Sequence, residues 1–238
     1  MTRSGQEIVG AGLAAARTWL IEPADPQDDP ATPPPSPTRS RPVIAVYGLA
    51  RGCGATVVAR ALAAELASRD PGGAAAVACA VRSGAVPLAT PAAARLARAL
   101  ADLPGSTTHA VGRLCLVDGV DRLALADCAR FHAPLVLDAG SSAIGGASAA
   151  MADRTIVVGA PGVEPALAAV AASCLARVGP EPIVVLNRSC PGHGWADRPA
   201  VELPDARMGA QLALAGREPR GRLGRAVAAL AHLTESTP

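Results

Sequence analysis

Apolar residues along the chain fall into short continuous runs, separated by longer segments in which they recur every three or four positions. The runs are VIAVY at 43–47, AAVACAV at 75–81, RLCLV at 113–117, LVLD at 135–138, TIVVG at 155–159 and PIVVLN at 182–187. Short runs that are apolar on both faces mark strands buried within a sheet. Between them lie GATVVARALAAELASR, PAAARLARALADL, DRLALADCARF and EPALAAVAASCLARV, which carry the helical spacing. This alternation predicts an α/β fold: a mostly parallel sheet flanked by helices, with ligands bound at the carboxyl ends of the strands.

The first forty residues break the pattern. Within 1–20, Ile8, Gly12, Ala15 and Trp19 share one face, which predicts a short amphipathic helix. Local docking and anchoring to a partner or membrane surface are the two readings, and the few basic residues speak against the membrane. Residues 21–41 are so rich in Pro, Asp and Ser that they predict an extended linker. The folded domain is expected over 42–235.

Composition sharpens this picture. All 22 basic residues other than histidine are arginines, so the chain has no lysine. That excludes a Schiff-base lysine, a lysine general base and a P-loop lysine. A GC-rich coding bias explains the preference for Arg, Ala and Pro, and the exclusion holds whatever its origin. With one Phe, one Tyr and two Trp, the core must be built from Ala, Val and Leu, and stacking on nucleobases is not expected. A net charge of +2 argues against nucleic-acid binding, and the locally basic GREPRGRLGR reads as a solvated helix face. Six cysteines at 53, 79, 115, 128, 174 and 190 form no CxxC pair, which fits a reducing compartment. Without an apolar run of membrane-spanning length or a signal-peptide pattern, the expected location is cytoplasmic, with membrane or pole association only peripheral and through partners.

The first strand leads into GLARGCGAT, Gly48 to Thr56, and then into a helix. Glycines between a strand and a helix N-terminus let backbone N–H groups converge on an anion, and the helix dipole adds to the attraction. The segment resembles the deviant phosphate loop KGGxGK[ST] of the MinD/ParA family of SIMIBI-class P-loop NTPases. On that pattern the signature lysine falls on Ala50 and the three glycines on Arg51, Gly52 and Gly54. The phosphate lysine falls on Ala55 and the hydroxyl on Thr56, so the Walker A loop is degenerate. The resemblance continues at Asp138 of PLVLDAGSS, the Walker B aspartate, and at Gly140, a shortened switch II. It extends to Asn187 and Arg188 of VVLNRS, where MinD-like proteins read adenine with an asparagine. The tail from VELPDARMG to AALAHL resembles the family's last strand, proline-bearing loop and closing helices, which brings the expected sheet to about seven strands.

The resemblance implies nucleotide contacts from Arg51, Gly52, Cys53, Gly54, Ala55, Thr56, Asn187 and Arg188. It implies ATP or ADP as the ligand, with Mg²⁺ held by Thr56 and Asp138 if nucleotide binds. Arg51 could replace a lost cation, although a solvated arginine is favoured. After the second strand, Arg82 and Ser83 stand where the family keeps an aspartate that positions water. Losing these charges disfavours efficient hydrolysis. The expectation is a pseudo-ATPase: a positional or assembly factor acting by dimerisation and partner binding, most similar to TadZ/CpaE-like members that place Tad-type pilus machinery. The alternative is a weakly active Mg-ATP-dependent ATPase in partitioning or in cell-pole or septum positioning.

Other constellations are weaker. Cys190 and His193 have the gap of half a zinc site but no second pair, and His109 and His132 are isolated. Ser141 and Ser142 follow a strand without a GxSxG elbow. Asp118 could line the site, but Asp118-Gly119 before Asp121 reads as turn and N-cap chemistry.

Overall fold

The computed structural model describes residues 40–79, 88–141, 147–191, 195 and 199–235, all within the unit Arg39–Pro238. The expected helix at 1–20 and nearly all of the linker at 21–41 lie outside the described residues.

Eight strands are present: β1 (Val43–Gly48), β2 (Ala75–Ala78), β3 (Thr107–Val111), β4 (Leu114–Asp118), β5 (Leu135–Gly140), β6 (Arg154–Gly159), β7 (Ile183–Ser189) and β8 (Val201–Pro204). They form one sheet in the order β3-β4-β2-β5-β1-β6-β7-β8. Every pairing is parallel except β3 with β4. Each strand expected from an apolar run is there, and the tail supplies β8. The eighth, β3, escapes a reading by apolar runs: TTHAV is polar at its start, has one neighbour and is mostly half-buried. Edge strands need no second apolar face.

Seven described helices cover the sheet: α1 (Ala55–Arg69), α2 (Pro91–Ala101), α3 (Arg122–His132), α4 (Ala147–Met151), α5 (Pro165–Leu175), α6 (Arg207–Leu214) and α7 (Gly221–Glu235). Side chains of α1, α6 and α7 pack on one face of the sheet, and those of α2 to α5 mainly on the other. Between the sheet and α6 and α7, α1 is apolar nearly all round. Six of its nine buried residues are alanines, which lets three layers approach closely without large side chains.

Local chemistry sets the boundaries. Thr90 caps α2 by accepting the Ala93 N–H at 3.2 Å, with Pro91 in the first turn. Asp121 caps α3 through the Leu123 N–H at 3.2 Å, and Asp118 accepts the Gly119 N–H at 2.8 Å, so both residues do the turn and N-cap work expected of them. Connections diverge at the centre: β1 leads to β2 on one side of the sheet, while β5 leads across β1 to β6 on the other. A crevice at the carboxyl ends of β1 and β5 follows from that divergence. No helix among the described residues is long and apolar enough to cross a membrane.

The β3–β4 turn and the turn after α6 are interlocked through two glycines. Gly112 and Gly216 have φ of +53° and +66°, and the Arg113 N–H donates to the Gly216 carbonyl at 2.8 Å. A Cβ on Gly216 would run into the Val111 carbonyl oxygen. Gly216→Ala is expected to destabilise the protein by about 2–4 kcal/mol, combining left-handed strain with a backbone clash. Thermal unfolding checks this: a Tm unchanged from wild type refutes the interlock.

Candidate functional site

The site is built at the end of β1, where the chain must turn sharply into α1. Leu49 extends the strand's bonding through its N–H to the Val158 carbonyl at 3.0 Å, and the Cys53 N–H closes a turn onto the Ala50 carbonyl at 3.3 Å. Gly52 and Gly54 then adopt φ of +79° and +89°, a region side chains resist. Cys53 points inward, and its Sγ lies 2.7 Å from where a Cβ on Gly48 would stand. Gly48 thus makes room for the thiol.

Gly54 is the N-cap of α1, and the first helical bond runs from the Val58 N–H to the Gly54 carbonyl at 3.0 Å. The N–H groups of Ala55, Thr56 and Val57 therefore have no partner within the helix. The first turn of α1 has no acidic residue and no side-chain cap, so the helix itself does nothing to neutralise the positive end of its dipole.

Asp138 comes to this turn from β5. It pairs with Val46 of β1, and a bulge then sets Tyr47 beside Gly140. One carboxylate oxygen of Asp138 accepts the Thr56 hydroxyl at 2.7 Å, and the other accepts the Gly140 N–H at 3.2 Å. A hydroxyl and a carboxylate at a helix N-terminus suit Mg²⁺ bound beside an anion.

From the other side, β7 delivers two residues to the loop. The buried Asn187 amide donates to the Cys53 carbonyl at 2.9 Å, and the Arg188 guanidinium donates to the Gly52 carbonyl at 2.9 Å. Arg188 has φ of +59°, the one positive value at a non-glycine position among the described residues. Both loop carbonyls are thereby satisfied from the β7 side. A Cβ on Gly54 would collide with the Asn187 amide, so this glycine is needed for close approach as well as for its φ.

Both positions where the resemblance expects lysine hold alanine. Ala55 is 7% exposed, Ala50 is half-buried, and Arg51 is exposed at the tip. Arg82 and Ser83 lie outside the described residues. Sequence reasoning missed Arg60, one turn after Thr56 on α1. Its guanidinium donates to the Leu214 carbonyl at 3.1 Å and to Cys79 Sγ at 3.8 Å, and its Nε has no hydrogen-bond partner among the described residues. Burial pushes the Cys79 thiol above its ordinary pKa, and the Arg60 charge opposes that. The available signal was that Arg60 is the one charged residue in the first ten positions of α1.

Beside the loop a cavity of about 380 Å³ runs between Asn187 and Arg188, Val57 of α1 and the turn at Pro204–Ala206. Its walls are mostly aliphatic. Such a space can seat a flat, weakly polar group next to an anion held by the loop.

The remaining candidates are dispersed. His109 sits on β3, His132 ends α3, Ser141 follows β5, and Cys190 is exposed after β7. His193 and Ser142 lie outside the described residues. Among those described, no group of three or more His, Cys, Asp or Glu side chains could hold a metal ion. Trp195 is 8% exposed and packs with Ala168 and Leu186.

No family model matches the sequence, and no curated protein matches it. Solved structures do. A ParA family ATPase from Chlorobium tepidum TLS aligns over 81% of this chain and 99% of its own, with a TM-score of 0.53 at 15% identity. The MinC:MinD cell division protein complex of Aquifex aeolicus aligns over 83% and 98%, with a TM-score of 0.54 at 14% identity. The chain has the ParA/MinD fold. At such identities the likeness fixes the architecture and leaves chemistry to the residues of the site.

Within this ParA/MinD fold, the Asn187 contact makes the loop's shape depend on β7. Asn187→Ala is expected to cost about 1–3 kcal/mol by leaving the Cys53 carbonyl unsatisfied. Asn187→Asp should cost more, because a carboxylate oxygen then faces that carbonyl. Hydrogen exchange over residues 50–57 is the readout. Exchange as slow as wild type in both variants would show that Asn187 does not hold the loop.

Proposed function

We propose that the chain is a non-hydrolysing positional or assembly factor, a pseudo-ATPase that acts by dimerisation and by binding protein partners. One observation carries the reading: the chain turns from β1 into α1 through left-handed Gly52 and Gly54 while Ala50 and Ala55 occupy both positions where the resemblance expects lysine. Catalysis of phosphoryl transfer is mostly positioning and electrostatic stabilisation, so a site without those cations can hold an anion far better than it can accelerate its transfer. Compositional bias alone would have put arginine at these positions.

Where Mg-ATP or Mg-ADP binds, the backbone of Gly52 to Thr56 receives the phosphates. Thr56 and Asp138 serve the metal, and the base lies in the cavity by Asn187 and Arg188. The process we assign is placement of Tad-type pilus machinery, on the resemblance to TadZ/CpaE-like members. Partner binding is supported by the MinD neighbour, whose structure is a complex with MinC. The protein acts in the cytoplasm and reaches a pole or membrane through its partners, with residues 1–20 as the tethered contact. A second reading, a weak Mg-ATP-dependent ATPase, is favoured by the Thr56–Asp138 bond, which brings the metal-binding pair together.

Titration with Mg-ATP separates the two. The expected result is weak or no binding and no turnover, with Ala50→Lys/Ala55→Lys gaining about 10–100-fold in affinity from charge-assisted hydrogen bonds. Turnover by the wild type that Asp138→Ala abolishes establishes the ATPase instead. Deleting residues 1–40 should reduce partner capture, and unchanged capture removes the tether.

A further inference from the structure

Helix α5 is built unlike its neighbours. From Pro165 to Ala176 it has no charged residue, and Ser173 is its one hydroxyl. Ala168, Ala171 and Leu175 suffice to bury one face against the sheet. On the outer face Leu167, Val170 and Val178 are 47%, 61% and 44% exposed, and Cys174 is exposed with them. Intervals of three, four and four residues align these side chains in one stripe. The turn after the helix continues it, since the Val178 N–H donates to the Leu175 carbonyl at 3.0 Å. A surface helix normally turns charge outward, and a continuous apolar stripe in that place marks a contact surface.

The ends of the stripe say what it contacts. Glu164 caps its start and Arg177 follows its end, both exposed. We propose that α5 pairs antiparallel with α5 of a second copy of this chain. About a twofold axis passing between Val170 and Ala171, Leu167 stands level with Cys174 of the second copy. The acidic end of each helix then lies level with the Arg177 end of the other, and the two dipoles oppose. A parallel pair would bring like charges together at both ends. A membrane surface is disfavoured, because it selects helices flanked by several basic residues and this one has a single arginine.

One stripe about 17 Å long, at about 1.5 Å per residue, is smaller than a standard stable interface of about 800 Å² per partner. The dimer is therefore weak and concentration-dependent. This proposal deepens the assembly-factor reading by naming the surface where copies meet, and it does not depend on the loop at Gly52–Thr56.

Sedimentation of the full chain from low to high micromolar concentration tests it. A monomer–dimer equilibrium is expected, with Val170→Glu weakening association at least about tenfold and Val170→Gln less, as desolvating a charge requires. Leu167→Cys should form an intermolecular disulfide with Cys174 under mild oxidation, lost in Leu167→Cys/Cys174→Ser. Circular dichroism of each variant should match wild type, since the altered positions are exposed. A monomer at every concentration overturns the proposal, as does a dimer unaffected by Val170→Glu or a Leu167→Cys chain that never cross-links. Mg-ATP titration of the same variants keeps the two proposals apart: affinity should stay at the wild-type level, and its result alone decides the loop.

Discussion

The hydrogen bond from the Asn187 amide to the Cys53 carbonyl is the constraint on which the arrangement of the site depends. It is buried, so the carbonyl has no water to fall back on if the amide is removed. It fixes the segment between two left-handed glycines, which sets where α1 begins. That start presents Thr56 to Asp138 across the carboxyl ends of β1 and β5. Arg188 adds a more exposed bond to Gly52 and adopts a left-handed backbone to reach it. The loop is therefore shaped by β7 on one side and β5 on the other, and the one cation bonded to it, Arg188, acts on a loop carbonyl from the β7 side.

This explains how the loop can lack lysine and still hold its form. The curvature comes from glycine backbone, and the inner surface from Cys53 packed beside Gly48 and from Ala55 at the start of α1. Neither requires charge. Ala55 packs at the start of α1 without needing charge, so the architecture at this position holds with alanine. Separation of fold from chemistry in this way agrees with the ParA/MinD architecture recurring at about 15% identity.

Much of this architecture was legible in the sequence, for an identifiable reason. Strands such as VIAVYG are buried throughout and have to be apolar on both faces, so their runs stand out. The TTHAV strand was not legible, because an edge strand pairs with its single neighbour through the backbone and needs no second apolar face. At the site, the glycines and Thr56 were readable from local order, and Asp138 from its place at a strand end. The work of Asn187 on the loop was not. It joins residues 134 positions apart, and only the folded sheet brings β7 to the end of β1. Arg60 was hidden in a different way: an isolated charge in a helix reads as a solvated face until α6 is seen to cover that helix.

The loop and α5 occupy different parts of the surface, yet they share a small apolar cluster. Leu49, the first residue after β1, packs with Ala168 of α5, Leu186 of β7 and Trp195. The Trp195 ring also fills the space above Gly159, leaving no room there for a Cβ. Leu49 is held by the Val158 carbonyl and leads directly into the glycine-rich loop, so the loop's start and α5 touch the same cluster. Contiguity of this kind is necessary for coupling and not sufficient, because coupling also needs an element with two stable arrangements. The glycine-rich loop is the part of the site with the backbone freedom to supply them. Its start is already packed against the helix whose outer face carries the apolar stripe.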